Sequence, residues 1–462
     1  MKPQLEELTK AKADWDTHHS LPFAGDFIGA AFALGQSSVA KPAAEFILNS
    51  DRPASKAARD LAHMIIADRS RAQTLLPDPP LQSIESTRQN IRLLRKVLQE
   101  FPRNPLAYLD LAREYVALGQ PLHALKPMQM ALSLAPSNRF VLRSASRFFL
   151  HYDDAEQAHD LLRRASNVKE DPWLLAAEIA VASAAGRTSK LIKTGRHCIE
   201  SHKFHPSHIS ELAGALGTLD WEAGNIRSVK KLFRKALEKP TENSVAQAAW
   251  LSRRSDNIGV DPSLLQVPRS FEARAWSAIG ESQWDESLKA AQLWLADEPF
   301  AKRAAVFGSW VALLSTSGAE EGESIARYGL RMHPSDFLLL NNLTVALAYQ
   351  GKIDEACDSF EKIVLPENNS AYKPTYLATK GLLRFRSGAP EEGRSLYQMA
   401  IIEARNRKDL RSVVRALLHL AREERRQDPK TAEALVSEGS KDTDKLAPLE
   451  QIISMRLIEL AK

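Results

Sequence analysis

Cysteine is nearly absent: Cys198 and Cys357 are the only two in 462 residues, and they lie far apart in sequence. A disulfide framework is therefore unsupported, and a reducing compartment is the natural setting. Aromatic residues are scarce at 7%. No apolar run reaches the roughly eighteen residues that a membrane helix needs. The opening "MKPQLEELTKAKADWD" lacks the apolar core of a secretion signal, so a soluble, cytoplasmic chain is expected. Charge of one sign is missing too, because 62 Lys and Arg face 57 Asp and Glu. A net charge of +5 is too mild to mark a nucleic-acid binder by itself. The excess is local: between Glu85 and Leu150 ten cations face four acids. The signatures GxxxxGK[ST], HExxH, GxSxG and CxxC are all absent, which removes the usual marks of nucleotide hydrolysis, zinc proteolysis and esterase action. Neither an enzyme nor a cofactor is expected.

What is present is punctuation. In "NPLAYLDLAREYVALGQPLHALKPMQMALSLAP", residues 104–136, apolar and small side chains at Tyr108, Leu111, Ala112 and Tyr115 share one helical face. The pattern restarts at Ala124, Met128 and Ala131. Gly119-Gln120-Pro121 between them reads as stop, turn, start, so the stretch predicts two antiparallel helices rather than one. Pro127 does not fit and is expected to kink the second helix. Moved along the chain, the template of about 34 residues recurs. Units begin at Arg139, Ser210, Phe337 and Pro374, with weaker copies near Leu21, Pro172, Pro268 and Arg303.

This spacing resembles the tetratricopeptide repeat (TPR) family, whose pattern is an aromatic, a Leu-Gly/Ala pair, a Tyr, then Ala, Phe, Ala and Pro. The Pro105 unit follows it except at Pro127 and Met128. The resemblance implies an all-α, superhelical solenoid of antiparallel helix pairs, with a capping helix at the C-terminus. The organisation expected is an N-terminal helical region with a degenerate repeat over 1–104, an array over 105–254, a linker or hinge over 255–267, and a second array over 268–409. C-terminal helices and the cap occupy 410–462.

Four acidic pairs, Asp285/Glu286, Glu320/Glu321, Asp354/Glu355 and Glu391/Glu392, fall where second helices begin. The positive end of a helix dipole explains them without catalysis. "HCIESHKFHPSH", residues 197–208, offers Cys198, His202, His205 and His208 as possible zinc ligands. A helix end that favours histidine explains the same residues, only one thiolate is available, and no metal site is assigned.

In stacked helix pairs the first helices line the inner, concave face. Arg113, Phe140, Arg143, Arg147 and Trp173 fall on inner positions and predict a basic groove for an acidic, partly apolar segment of another protein. The competing reading is that these arginines are solvated or paired with Asp110 and Glu114. Asn342 is a further candidate, since family members that grip extended peptides use an inner Asn. Its preceding unit, around Val306 to Trp310, is apolar where chaperone-binding members carry basic and amide residues, so Asn342 is equally read as pairing within the array. The function expected is a non-enzymatic protein-interaction scaffold. A nucleic-acid-binding repeat protein and the regulatory subunit of a two-protein system are the alternatives, and no membrane partner is expected.

Overall fold

The computed structural model describes residues 3–33, 37–52, 54, 56–66, 83–254, 259–316, 318–365 and 370–461. Residues 255–258 of the predicted linker lie outside them. Among the described residues the chain is helical, without strands. It divides into two compact units, 1–273 and 274–462.

The first unit opens with α1 (Pro3–His18), α2 (Leu21–Ala33), α3 (Lys41–Asn49), α4 (Lys56–Ile66) and α5 (Ile84–Glu100). Trp15, Phe27, Ile28 and Ile47 form the buried centre of α1 to α4. Regular pairs follow: α6 (Pro105–Ala117) with α7 (Pro121–Leu134), α8 (Arg139–His151) with α9 (Ala155–Arg164), α10 (Pro172–Ala184) with α11 (Ile192–Glu200), and α12 (Pro206–Glu222) with α13 (Ile226–Ala236). The unit's last complete helix is α14 (Glu242–Ser252). The division between units falls inside α15 (Phe271–Gly280). Arg269, at the far end of unit 1, pairs with Asp60 on α4 at 3.3 Å, which ties the two ends of this unit together.

The turn between α6 and α7 shows why this sequence breaks where it does. Gly119 takes φ 69, the left-handed conformation that only glycine adopts freely. Its N–H donates to Val116 O and that of Gln120 to Tyr115 O, so the last carbonyls of α6 are satisfied in a Schellman turn. The same conformation recurs at Gly224, Gly351 and Gly388. First helices start on side-chain caps: Asn104, Asn138 and Asp171 each accept backbone N–H bonds from the first turn that follows. α7 runs through Pro127, whose ring is buried in the packing; the helix continues to Leu134 rather than ending there.

The second unit continues with α16 (Trp284–Asp297), α17 (Lys302–Ala312), α18 (Gly318–Met332), α19 (Phe337–Tyr349), α20 (Ile353–Glu361), α21 (Lys373–Arg386), α22 (Pro390–Asn406), α23 (Leu410–Glu424), α24 (Pro429–Lys441) and α25 (Pro448–Ala461). Beyond 410, where C-terminal helices and a cap are expected, the chain forms three helices, α23 to α25. Helices α21 and α22 approach so closely that a Cβ on Gly393 would lie 2.4 Å from the Phe385 ring. The acidic pairs stand in the first turns of α16, α18, α20 and α22.

Candidate functional site

The centre of the candidate site is Trp173, on the first turn of α10. Its ring lies beneath two guanidinium groups, Arg139 at 5.4 Å and Arg143 at 5.0 Å from the ring centroid. Arg139 also pairs with the Asp171 carboxylate that caps α10. The indole N–H of Trp173 is buried and has no hydrogen-bond partner. Phe140, on the first turn of α8, is 49% exposed.

Arg143 reaches past α10 altogether. Its Nη2 donates to Glu211 on α12 at 2.6 Å. Glu211 also accepts from Asn243 Nδ2 at 3.1 Å and from Thr241 Oγ1 at 3.3 Å. Arg147 Nη2 donates to Asn243 Oδ1 on α14 at 3.5 Å. These bonds join α8 to first helices two and three pairs farther along unit 1. Burial pushes the Glu211 carboxyl up, but the Arg143 charge, the Asn243 and Thr241 hydrogen bonds and the Arg147 charge outweigh it and hold it below the usual range.

Arg143, Arg147, Phe140 and Trp173 thus stand on α8 and α10, with Glu211 and Asn243 joined to them. Arg113 lies one pair earlier, half-buried on α6; it, Asp110 and Glu114 all have interaction partners, and Glu114 accepts from Asn90 at 3.3 Å. Glu211 and Asn243 escaped the sequence reading, although register could have found them. Asn243 is the second residue of its helix, as Phe140 and Trp173 are of theirs, and Glu211 holds that place in the repeat frame starting at Ser210. A second basic feature was also missed. On α13, Arg227, Lys230, Lys231 and Arg234 are exposed at helical spacing on one face.

Asn342 is committed inside unit 2. Its amide donates to Val306 O at 3.2 Å and to Ser309 Oγ at 2.9 Å, and only 6% of the residue is exposed. The pairing alternative therefore describes it, and its N–H groups are already spent. The His-rich segment does not assemble a metal site. Among the described residues no group of three or more His, Cys, Asp or Glu is placed to share an ion. Burial, with Asp171 nearby, pushes the Cys198 thiol up to about 11, which disfavours the thiolate that zinc requires. His205 caps α12, its Nδ1 accepting from Ser207 N, while His202 takes a left-handed turn conformation at φ 50. His208 is buried, and that burial, with the charges of Arg139 and His205, lowers its pKa to about 4 against the opposing Asp171.

No family model matches this chain, and no curated protein matches it. Among solved structures it is similar to the APC/C hetero-tetramer Cut9-Hcn1, at 13% identity and TM-score 0.41, covering 97% of this chain and 92% of that one. It is similar also to yeast Tom70, at 13% identity and TM-score 0.31, covering 82% and 92%. The human IFIT1 dimer with PPP-AAAA gives 11% identity and TM-score 0.33, covering 95% and 94%. Likenesses this distant carry no argument about what the chain binds. The fold class, an all-α solenoid of TPR-like helix pairs, stands on the chain's own helices and turns. Among the described residues no helix is long and apolar enough to cross a membrane.

Proposed function

We propose that the chain is a non-enzymatic protein-interaction scaffold, and that the inner side of unit 1 receives an acidic, partly apolar segment of a partner protein. Arg113, Phe140, Arg143, Arg147 and Trp173 make the contacts. One observation supports this above the others: the half-exposed Phe140 follows Arg139 directly in the chain, and Arg139 and Arg143 both lie over the Trp173 ring. Apolar area and guanidinium donors are thereby offered together, the combination that recurs at the centres of protein interfaces. Glu211 illustrates the chemistry, since a carboxylate is what Arg143 already holds. An incoming carboxylate exchanges with Glu211 or adds beside it on Arg147.

Affinity purification of the chain, compared with Arg143→Glu/Arg147→Glu, tests this reading. Partner recovery is expected to be lost in the double reversal and in Arg147→Glu alone, the single variant being the one that keeps its melting temperature, because Arg143→Glu also sets a carboxylate against the largely buried Glu211. Undiminished recovery from a folded double variant would remove the groove. The nucleic-acid alternative is separated by salt. The unpaired stripe on α13 is its best support, and measurable oligonucleotide binding that falls steeply between low and moderate salt would favour it.

A further inference from the structure

Four first helices of unit 2 send side chains to one place. Along α23, Arg411, Arg415, His419 and Arg422 recur at the spacing of a single helical face. Tyr349, the last residue of α19, brings its Oη within 3.4 Å of His419 Nδ1, and Arg386, the last residue of α21, pairs with Glu423. The Arg415 guanidinium lies 5.9 Å from the Trp310 ring on α17, three helix pairs earlier in the chain. Trp310, Tyr349, Arg386, Arg415, His419 and Arg422 each keep part of their surface exposed, so the hollow they line is open to solvent.

Two of these arginines are answered by acids and one is not. Arg386 donates to both oxygens of Glu423, at 2.6 and 2.8 Å, and Arg415 Nη2 donates to Glu450 at 2.7 Å. Among the described residues Arg422 meets no carboxylate; its guanidinium lies 4.0 Å from the centroid of the Tyr349 ring. Arg386 lies 5.5 Å from the same ring, so two like charges share one aromatic side chain. A guanidinium laid on a ring uses its face and keeps its N–H edge for a further acceptor. Arg415 has a donor to spare as well, since its Nε is buried without a partner. Burial, with the Arg422 and Arg415 charges, lowers His419 to about 3 with no acid opposing it. Burial also holds Arg415 below its ordinary value although Glu450 pulls it upward. Positive charge in such surroundings is costly until an anion completes it.

We propose that this hollow binds a phosphate monoester, held by Arg422 and Arg415 on either side of His419 with the Tyr349 hydroxyl beside it. Donors from separate side chains, Arg422, Arg415 Nε and the neutral imidazole, suit a tetrahedral group with three acceptor oxygens better than a planar carboxylate. The ester is either a small free molecule or the phosphorylated side chain of a partner, since both present the same group. The site goes beyond the scaffold reading and shares no residue with the unit 1 surface, so loss of binding in Arg143→Glu/Arg147→Glu neither supports nor weakens it.

Calorimetric titration of the full chain with inorganic phosphate at low ionic strength provides the test. One saturable site is expected, with acetate roughly tenfold weaker or more, and Arg422→Gln should weaken phosphate binding by about tenfold or more. That variant breaks no ion pair, so its fold is expected to survive. Free O-phosphoserine and a phosphoserine peptide separate the two sources. A peptide that binds about tenfold tighter than the free amino acid assigns the site to a modified partner, and one that binds no tighter assigns it to a small ester. No saturable phosphate binding, acetate binding as tightly as phosphate, or unchanged affinity in folded Arg422→Gln overturns the proposal. If Arg422→Gln does not fold, the His419 ring resonances of the unaltered chain decide the matter. They should shift with the same midpoint as the heat signal, and resonances that stay in place at saturating phosphate contradict the site.

Discussion

Glu211 is the residue on which the inner face of unit 1 turns. It holds Arg143, and through Asn243 it is joined to Arg147, so the arginines that sequence reading offered to a partner are partly engaged at home. If an acidic segment competes with it, Glu211→Gln should strengthen partner binding severalfold in a titration. Weakened binding would instead make Glu211 a positioning residue for the two arginines. Buried histidines make a separate prediction about acid. Burial, with the Arg422 and Arg415 charges, lowers His419 from 6.5 to about 3, and His208 falls from 6.5 to about 4. Each remains neutral in the folded chain at pH values where the unfolded chain takes up the proton. Their contribution is therefore complete above pH 6.5 and is lost as pH falls toward 4 and 3. Urea midpoints measured across this range should decline with acid, and His208→Phe should flatten part of the decline; superimposable profiles would contradict the assignment.

At the level of elements, the paired helices depend on caps and on close approach. Asn138 Oδ1 accepts from Phe140 N at 2.9 Å and from Val141 N at 3.2 Å, so Asn138→Ala should cost about 1 kcal/mol in chemical denaturation. Gly393→Ala should cost more, about 1–3 kcal/mol, because the added methyl meets the Phe385 ring and lies 3.0 Å from the Gly381 carbonyl oxygen. Most of this layer was legible in sequence, since glycine, proline and small residues mark turns and axis approach by their own geometry. Pro127, where a kink is expected from the lost N–H, sits buried inside a helix that reaches Leu134. The start of α12 was misjudged because the repeat frame begins at Ser210, whereas Pro206 and the His205 cap start the helix a turn earlier. Side-chain commitment was the least legible. Nothing local says that the Asn342 amide will find Val306 O, or that Arg143 will skip a helix pair to reach Glu211.

For the whole molecule, each unit ties its own ends by a polar contact, Arg269 with Asp60 in the first and Arg456 with Leu314 O in the second. Inner faces in both carry arginine beside aromatic rings, Trp173 in one and Tyr349 with Trp310 in the other. Sequence located the first of these through its local excess of charge. The second stayed hidden because Glu423 and Glu450 offset all but one of Arg386, Arg415 and Arg422, so little surplus marks it. The central claim is that a partner is held on the inner side of unit 1. Its most direct test is photo-crosslinking, with a benzophenone amino acid placed at Phe140 or, as the control, at the exposed Leu122 on α7. The account predicts capture from position 140 of a protein segment rich in Asp or Glu, with none from position 122. Capture from position 122 and none from position 140 would contradict it.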